Sequence, residues 1–288
     1  MAAPVRTVVF PAAGLGTRIL PATKAFPKEL LPLVDRPIVQ YGVEEAVASG
    51  IRRVVLVTSP GNTMTGAHFA PHPALEAVLE ERGKTESLAV VRALSALAEV
   101  TTVHQAQPLG LGHAVLMARP EVGDEPFAVV LPDDVIDADP PALRRMTDLF
   151  AAVGGPVLLV ERVPREAVQR YGIIDAKALG QGVFEVRDLV EKPDPATAPS
   201  DLAIVGRYVL TPDVFDALER TGADAGGEIQ LTDGLRRLLE HRPLHACELV
   251  GTRHDAGNRL GFLKASVYFA LKRPDLAPQL RAFLTELD

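Results

Sequence analysis

The junction between an apolar run at residues 5–10 and the segment AGLGTRILPATKAFPKELLP at residues 13–32 constrains the fold more than any other feature. The run is β-branched and apolar, which predicts a buried first strand. A loop hanging from the end of such a strand lies where open α/β sheets bind ligands. Gly14 and Gly16 allow a sharp turn that brings backbone N–H groups to an anion, and Arg18, Lys24 and Lys28 add charge-assisted donors for phosphate oxygens. Two commoner glycine loops fail on spacing. The dinucleotide fingerprint needs a third Gly or Ala where this chain has Ile19, and Walker A needs Gly-Lys-Ser/Thr. A plain strand-to-helix turn with solvated basic residues is the usual reading of a bare Gly-x-Gly. Arg18 and the two lysines shift the balance towards a triphosphate.

The 288 residues carry a net charge of −7, so these cations form a local site in an acidic chain and not a surface for nucleic acid. A hydrophobic content of 47% suffices for a sizeable core. The single cysteine, Cys247, excludes an intramolecular disulfide. No apolar run approaches the roughly 18 residues of a membrane span, and no signal-peptide pattern precedes the glycine loop. The expectation is a cytoplasmic enzyme that binds neither membrane nor nucleic acid.

Pro37 can open a helix over 37–49, followed by a strand over 52–58. Helices are expected over 73–82, 85–98 and 111–118, and strands over 100–105 and 127–131. This alternation predicts an α/β fold with a mixed, mainly parallel central sheet flanked by helices. From residue 156 short strands dominate, at 157–161, 171–175, 183–190 and 203–210. Helices follow at 228–241, 260–272 and 276–287. No Gly/Ser-rich linker separates the halves, so 1–288 is read as one domain. Its parts are a first half to about 155, a second half over about 156–258 that walls a second pocket, and C-terminal helices over about 259–288.

Three acidic motifs stand at expected strand ends. LPDD places Asp133 and Asp134 opposite the basic loop, where a hard divalent cation takes one or two carboxylates and completes its shell with phosphate and water. Capping of the next element is an equally good account of the pair in isolation. HDAGN, between a strand-like run over 244–250 and the next helix, places Asp255 at another junction, as a second metal carboxylate or a helix cap. LVEKP sets Glu191 beside Lys192, a pairing suited to sugar hydroxyls and a sugar phosphate, or merely a solvated strand end. His68 and His72 are separated by Pro71 and no HExxH occurs, so zinc is not expected. No GxSxG elbow or activated cysteine offers a covalent nucleophile.

The basic loop, QAQPLGLGHAV from Gln105, LPDD, YGII from Tyr171, LVEKP, GRYVL from Gly206, GEIQLTD from Gly227 and HDAGN occur in one order along nearly the whole chain. Together they resemble the bacterial UTP:glucose-1-phosphate uridylyltransferases, with LPATK and GLGHAV favouring these over the related thymidylyltransferases. The resemblance implies a Rossmann-like nucleotidyltransferase that makes UDP-glucose and pyrophosphate with Mg²⁺. It assigns Gly14, Gly16, Arg18 and Lys28 to the triphosphate, with Lys24 assisting, and Gln105 and Gly110 to the uracil. Ala12 and Ala13 would leave room for the base. Asp133 and Asp255 would hold the metal, with Asp134 a neighbour. Gly172 and Glu191 would contact the sugar and Lys192 its phosphate. It also implies a homodimer or homotetramer.

Two departures stand out. Ala256 replaces the cysteine usual between Asp255 and Gly257, and His104 replaces an arginine usual before Gln105. The segment after His68 also lacks a residue typical of the family, which bears on a lid or dimer contact. The rival readings are transfer of another nucleotide or sugar, such as dTTP or galactose-1-phosphate, and a non-catalytic binding paralogue. A nicotinamide dehydrogenase is disfavoured by the missing third glycine.

Overall fold

The first strand, β1 (Thr7–Ala12), sends Val9 into one apolar core and Val8 and Phe10 into another, so both faces of the sheet are covered. The computed structural model describes residues 3–287. A small hairpin, β2 (Pro32–Leu33) and β3 (Arg36–Pro37), leads into α1 (Ile38–Ala48) and then β4 (Arg53–Thr58). Three helices, α2 (Met64–Ala67), α3 (Pro73–Glu81) and α4 (Thr85–Ser95), precede β5 (Glu99–His104). Next come α5 (Leu111–Met117), α6 (Arg119–Val122), β6 (Phe127–Val130), β7 (Asp134–Asp137) and α7 (Ala142–Val153).

The second half contains β8 (Val157–Arg162), β9 (Gly172–Gly180), β10 (Val183–Glu191) and β11 (Leu202–Leu210). It continues through α8 (Asp213–Glu219), α9 (Leu231–Leu239), β12 (His245–Glu248) and β13 (Thr252–Asp255). Helices α10 (Arg259–Leu271) and α11 (Ala277–Glu286) close the chain.

Nine strands form one sheet in the order β5-β4-β1-β6-β11-β8-β12-β10-β9. It is parallel from β5 to β6. Beyond β6 the pairings are antiparallel except for β12 with β8. Parallel strands therefore dominate only the first half. In the second, β9 and β10 are joined directly at Gly180 and Gly182, both at positive φ, and so must run antiparallel.

Helices α1 and α7 cover one face through Val39, Val43, Leu143, Met146 and Phe150. Helices α5, α8 and α9 cover the other, where Phe215 stacks on Phe127 at 5.0 Å between ring centroids. Arg207 and Glu45 form a buried pair between sheet and α1, 2.8 Å apart, and Glu45 also accepts the Leu143 N–H at 3.1 Å.

One expected helix is shorter than the sequence suggests. Residues 228–230 are not helical, because the Ile229 N–H donates to Leu109 and its carbonyl accepts from Gly112, both at 2.8 Å. The segment bridges to the loop before α5. After β1 the chain builds β4 and β5 on one side, then crosses to form β6 on the other. The loops following β1 and β6 are thereby brought together at a topological switch point, where such sheets bind ligands.

Candidate active site

Lys28 Nζ donates to Asp133 Oδ2 at 2.6 Å, joining the basic loop after β1 to the acidic turn after β6. Arg18 Nη2 approaches the same oxygen at 3.6 Å. Gly16, at φ 64°, makes the turn, and Thr23 Oγ1 pins it by donating to its carbonyl at 2.8 Å. Burial pushes the Asp133 carboxyl up, but the charge and hydrogen bond of Lys28 and the charge of Arg18 outweigh it and hold Asp133 below the usual carboxylate value. Asp133 is thus ionised and charge-balanced.

The second acid arrives through a two-stranded sheet of β7 and β13, in which Asp134 and Asp255 are direct partners. The Ala256 N–H donates to the Asp133 carbonyl at 2.8 Å, fixing Asp255 beside the LPDD turn. Gly257 is required there, since a Cβ would come 2.5 Å from Asp133 Oδ2. Asp255 itself is held by the Gly257 N–H at 3.0 Å and Asn258 Nδ2 at 2.9 Å, with Arg170 Nη2 at 3.6 Å. Asp134 is buried and paired with Arg253 at 2.6 Å. Burial is the largest influence on its carboxyl and raises it to about 6 against the pull of Arg253.

The two sugar candidates also meet. Gly172 and Glu191 stand opposite each other in the β9–β10 register. Thr232 Oγ1 donates to Glu191 Oε2 at 2.7 Å, and a Cβ on Gly172 would lie 2.7 Å from that hydroxyl. Lys192, at φ 44°, turns its Nζ to Glu191 at 3.2 Å while its N–H donates to the Tyr171 carbonyl at 3.0 Å.

At the other end, Gln105 Nε2 donates to the Gly110 carbonyl at 3.1 Å and lies 2.9 Å from His113 Nδ1. Gly110, at φ 94°, presses on Glu228 and Ile229, where a side chain would not fit.

Both ends of this arrangement meet in one cleft of about 790 Å³, a volume suited to a nucleotide and a small second substrate. Ala13, Gly14, Arg18, Lys28, Gln105, Gly110, Asp133, Gly172, Glu191 and Asp255 line it. Ala12, Gly16, Lys24 and Lys192 do not. Ala12 is buried at the strand end, Gly16 shapes the loop from behind, and Lys24 points to solvent. Lining residues without an assigned role in the sequence reading include Arg170, Tyr171, Tyr208, Gln230, Thr232 and Arg253. Tyr171, Tyr208, Gln230 and Thr232 lie inside YGII, GRYVL and GEIQLTD, so position within those motifs was the available signal. Arg253 carried none, because its partner is distant in the chain.

Residues 8–270 match the profile of the family described as nucleotidyl transferase. The chain belongs to that family. Among relatives of this nucleotidyl transferase, UTP–glucose-1-phosphate uridylyltransferase YngB of Bacillus subtilis (strain 168) is 48% identical over 283 residues, covering 98% of this chain and 95% of that protein. A UTP-bound UGPase from Acinetobacter baumannii superposes with a TM-score of 0.90 at 37% identity, covering 99% of this chain and 100% of that one. A UDP-glucose pyrophosphorylase complexed with UDP-glucose gives 0.85 at 39% identity, over 93% and 100%. The nucleotidyl transferase relationship thus spans both the basic-loop half and the Gly172–Glu191 half of the cleft.

Proposed function

We propose that this protein transfers the uridylyl group of UTP to glucose-1-phosphate, releasing pyrophosphate and forming UDP-glucose. The observation that carries the reading is the convergence of Arg18, Lys28 and Asp133 at one end of a cleft whose other end holds Gly172 and Glu191. The near-full-length likeness to a named uridylyltransferase and to a UTP-bound relative supports the same substrates.

In this reading a phosphate oxygen of the sugar attacks the α-phosphorus of UTP while the bond to pyrophosphate breaks. The nucleophile is already an anion, so no general base is needed. The task is to hold two phosphates together in line despite their repulsion. Gly14 meets the triphosphate on the turn that Gly16 makes, and Arg18 and Lys28 draw charge from the departing pyrophosphate. Lys192 guides the incoming phosphate, Gly172 and Glu191 receive the sugar hydroxyls, and Gln105 and Gly110 meet the uracil edge. Ala12 and Ala13 leave space for the base, and Lys24 adds charge near the loop.

The acidic donor set on the cleft wall fits a hard divalent cation. Asp133 and Asp255 offer carboxylate oxygens beside the phosphate loop, and among the described residues no group of three or more His, Cys, Asp or Glu forms a complete protein cage. Mg²⁺ held by these two carboxylates would finish its shell with phosphate and water, and would offset phosphate charge.

We also read residues to about 155 as the nucleotide half, about 156–258 as the sugar half, and about 259–288 as C-terminal helices. Leu260, Leu263 and Phe283, exposed on α10 and α11, support a homodimer or homotetramer. No helix among the described residues is long and apolar enough to cross a membrane; the cytoplasmic location is part of the proposal. A nucleotide panel tests the function: pyrophosphate release with glucose-1-phosphate should be greatest with UTP and stop with EDTA. A preference for dTTP would keep the chemistry and move the specificity.

A further inference from the structure

One side chain joins the acidic strands to the sugar loop. Arg253 lies on β13 two residues ahead of Asp255, with only 9% of its side chain exposed. Its Nε donates to Asp134 Oδ1 at 2.7 Å and its Nη2 reaches the same oxygen at 2.6 Å. The guanidinium carbon lies over the Tyr171 ring, 5.3 Å from its centroid, with Nη1 3.4 Å from the Tyr171 hydroxyl and 3.5 Å from Glu161 Oε2. Asp134 follows Asp133 and pairs with Asp255. Tyr171 precedes Gly172, and its carbonyl receives the Lys192 N–H. Arg170 offers a looser link to Asp255, at 3.6 Å and more than half exposed.

We propose that Arg253 is a positioning residue that sets the Tyr171–Gly172 loop and Lys192 at a fixed distance from Asp133 and Asp255. This rests on the reading of the cleft as a sugar-phosphate uridylyltransferase site, and it assigns Arg253 no contact with the reacting atoms. The planar fork is what the role requires, because two of its nitrogens bond a carboxylate while its charge lies over an aromatic ring and a third nitrogen faces that ring's hydroxyl, a spread a compact ammonium does not match. Displacement of the loop moves the sugar phosphate relative to UTP, while the triphosphate loop, built on β1, stays in place.

The test compares wild type, Arg253→Lys, Tyr171→Phe and the double variant by initial rates with each substrate varied, by UTP affinity from calorimetry, and by thermal unfolding. Arg253→Lys keeps the charge opposite Asp134 yet should lower kcat/KM for glucose-1-phosphate roughly ten- to a hundredfold, the scale of a small misplacement. UTP affinity should be unchanged. The double variant should be no worse than Arg253→Lys alone, because the two residues act as a unit. An unchanged kcat/KM for the sugar phosphate, a parallel loss of UTP affinity, or effects that multiply would each overturn the proposal. If Arg253→Lys does not fold, Tyr171→Phe decides alone: it must impair use of the sugar phosphate with UTP binding intact. Silence of the wild type with both substrates would instead strike the functional reading beneath it.

Discussion

Asp134 and Asp255 face each other directly across the β7–β13 pair, and this register sets Asp133 and Asp255, far apart in the chain, on the lining of one cleft. The acids are useful there because cations already balance them: Lys28 and Arg18 on Asp133, Arg170 on Asp255. Each substrate phosphate and any metal must enter a site whose charges are paired in advance. Exchange of partners, and not creation of charge, accompanies binding.

Asp133→Asn and Asp255→Asn should each lower kcat by about 10²- to 10³-fold, the usual cost of one preorganised electrostatic group. Both should weaken Mn²⁺ binding, used as a probe for Mg²⁺ and followed by electron paramagnetic resonance. Turnover and metal affinity at the wild-type level would remove these carboxylates from the site.

Lys28→Ala and Lys192→Ala separate the two ends of the cleft. Loss of Lys28 should weaken UTP binding and slow turnover, while loss of Lys192 should act mainly through glucose-1-phosphate, each by roughly 10²-fold or more in kcat/KM. Steady-state kinetics with each substrate varied in turn distinguishes them. Identical patterns for the two variants would contradict the division.

Gly172→Ala places a methyl group where the Thr232 hydroxyl reaches Glu191. The bond must lengthen or break, so KM for the sugar phosphate should rise while UTP affinity holds. Isothermal titration with UTP beside initial-rate measurements checks both halves of the statement.

Burial raises the Glu29 carboxyl above its ordinary value, its own backbone N–H and Lys28 opposing, and one of its oxygens has no hydrogen-bond partner among the described residues. The folded state therefore holds this proton more tightly than the unfolded chain. Its contribution to stability is full at pH below the ordinary carboxylate value and is lost as pH rises through the raised one. Glu29→Gln should flatten the stability curve in that interval, read from urea unfolding across pH. An identical slope in both proteins would contradict the assignment.

Glu45→Ala leaves Arg207 charged and buried without its partner. The expected loss is about 3–5 kcal/mol of unfolding free energy, from the same urea titration. A loss within that of an ordinary surface substitution would show that Arg207 finds another partner.

The parallel half of the fold was legible because its strands and helices are long, apolar and regularly spaced. Gly14, Gly16, Arg18 and Lys28 could be read as a phosphate loop from local chemistry alone. The β7–β13 pair could not, since each strand has four residues and its partner is far along the chain. Helix α7 has no counterpart in the sequence reading, although Leu143, Met146 and Phe150 carry helical spacing. Helix α8 is only seven residues long and is fixed by packing of Phe215 on Phe127. Arg253 lies in no pattern a single sequence reveals. Its role depends on Asp134 and Tyr171 meeting it in space.

The most direct test of the central claim follows the phosphorus atoms themselves. Phosphorus NMR of the purified protein with UTP, glucose-1-phosphate and Mg²⁺ should show UDP-glucose and pyrophosphate growing in equal amounts as both substrates fall. UTP consumed to UMP without UDP-glucose, or no change with folded protein, would contradict uridylyl transfer.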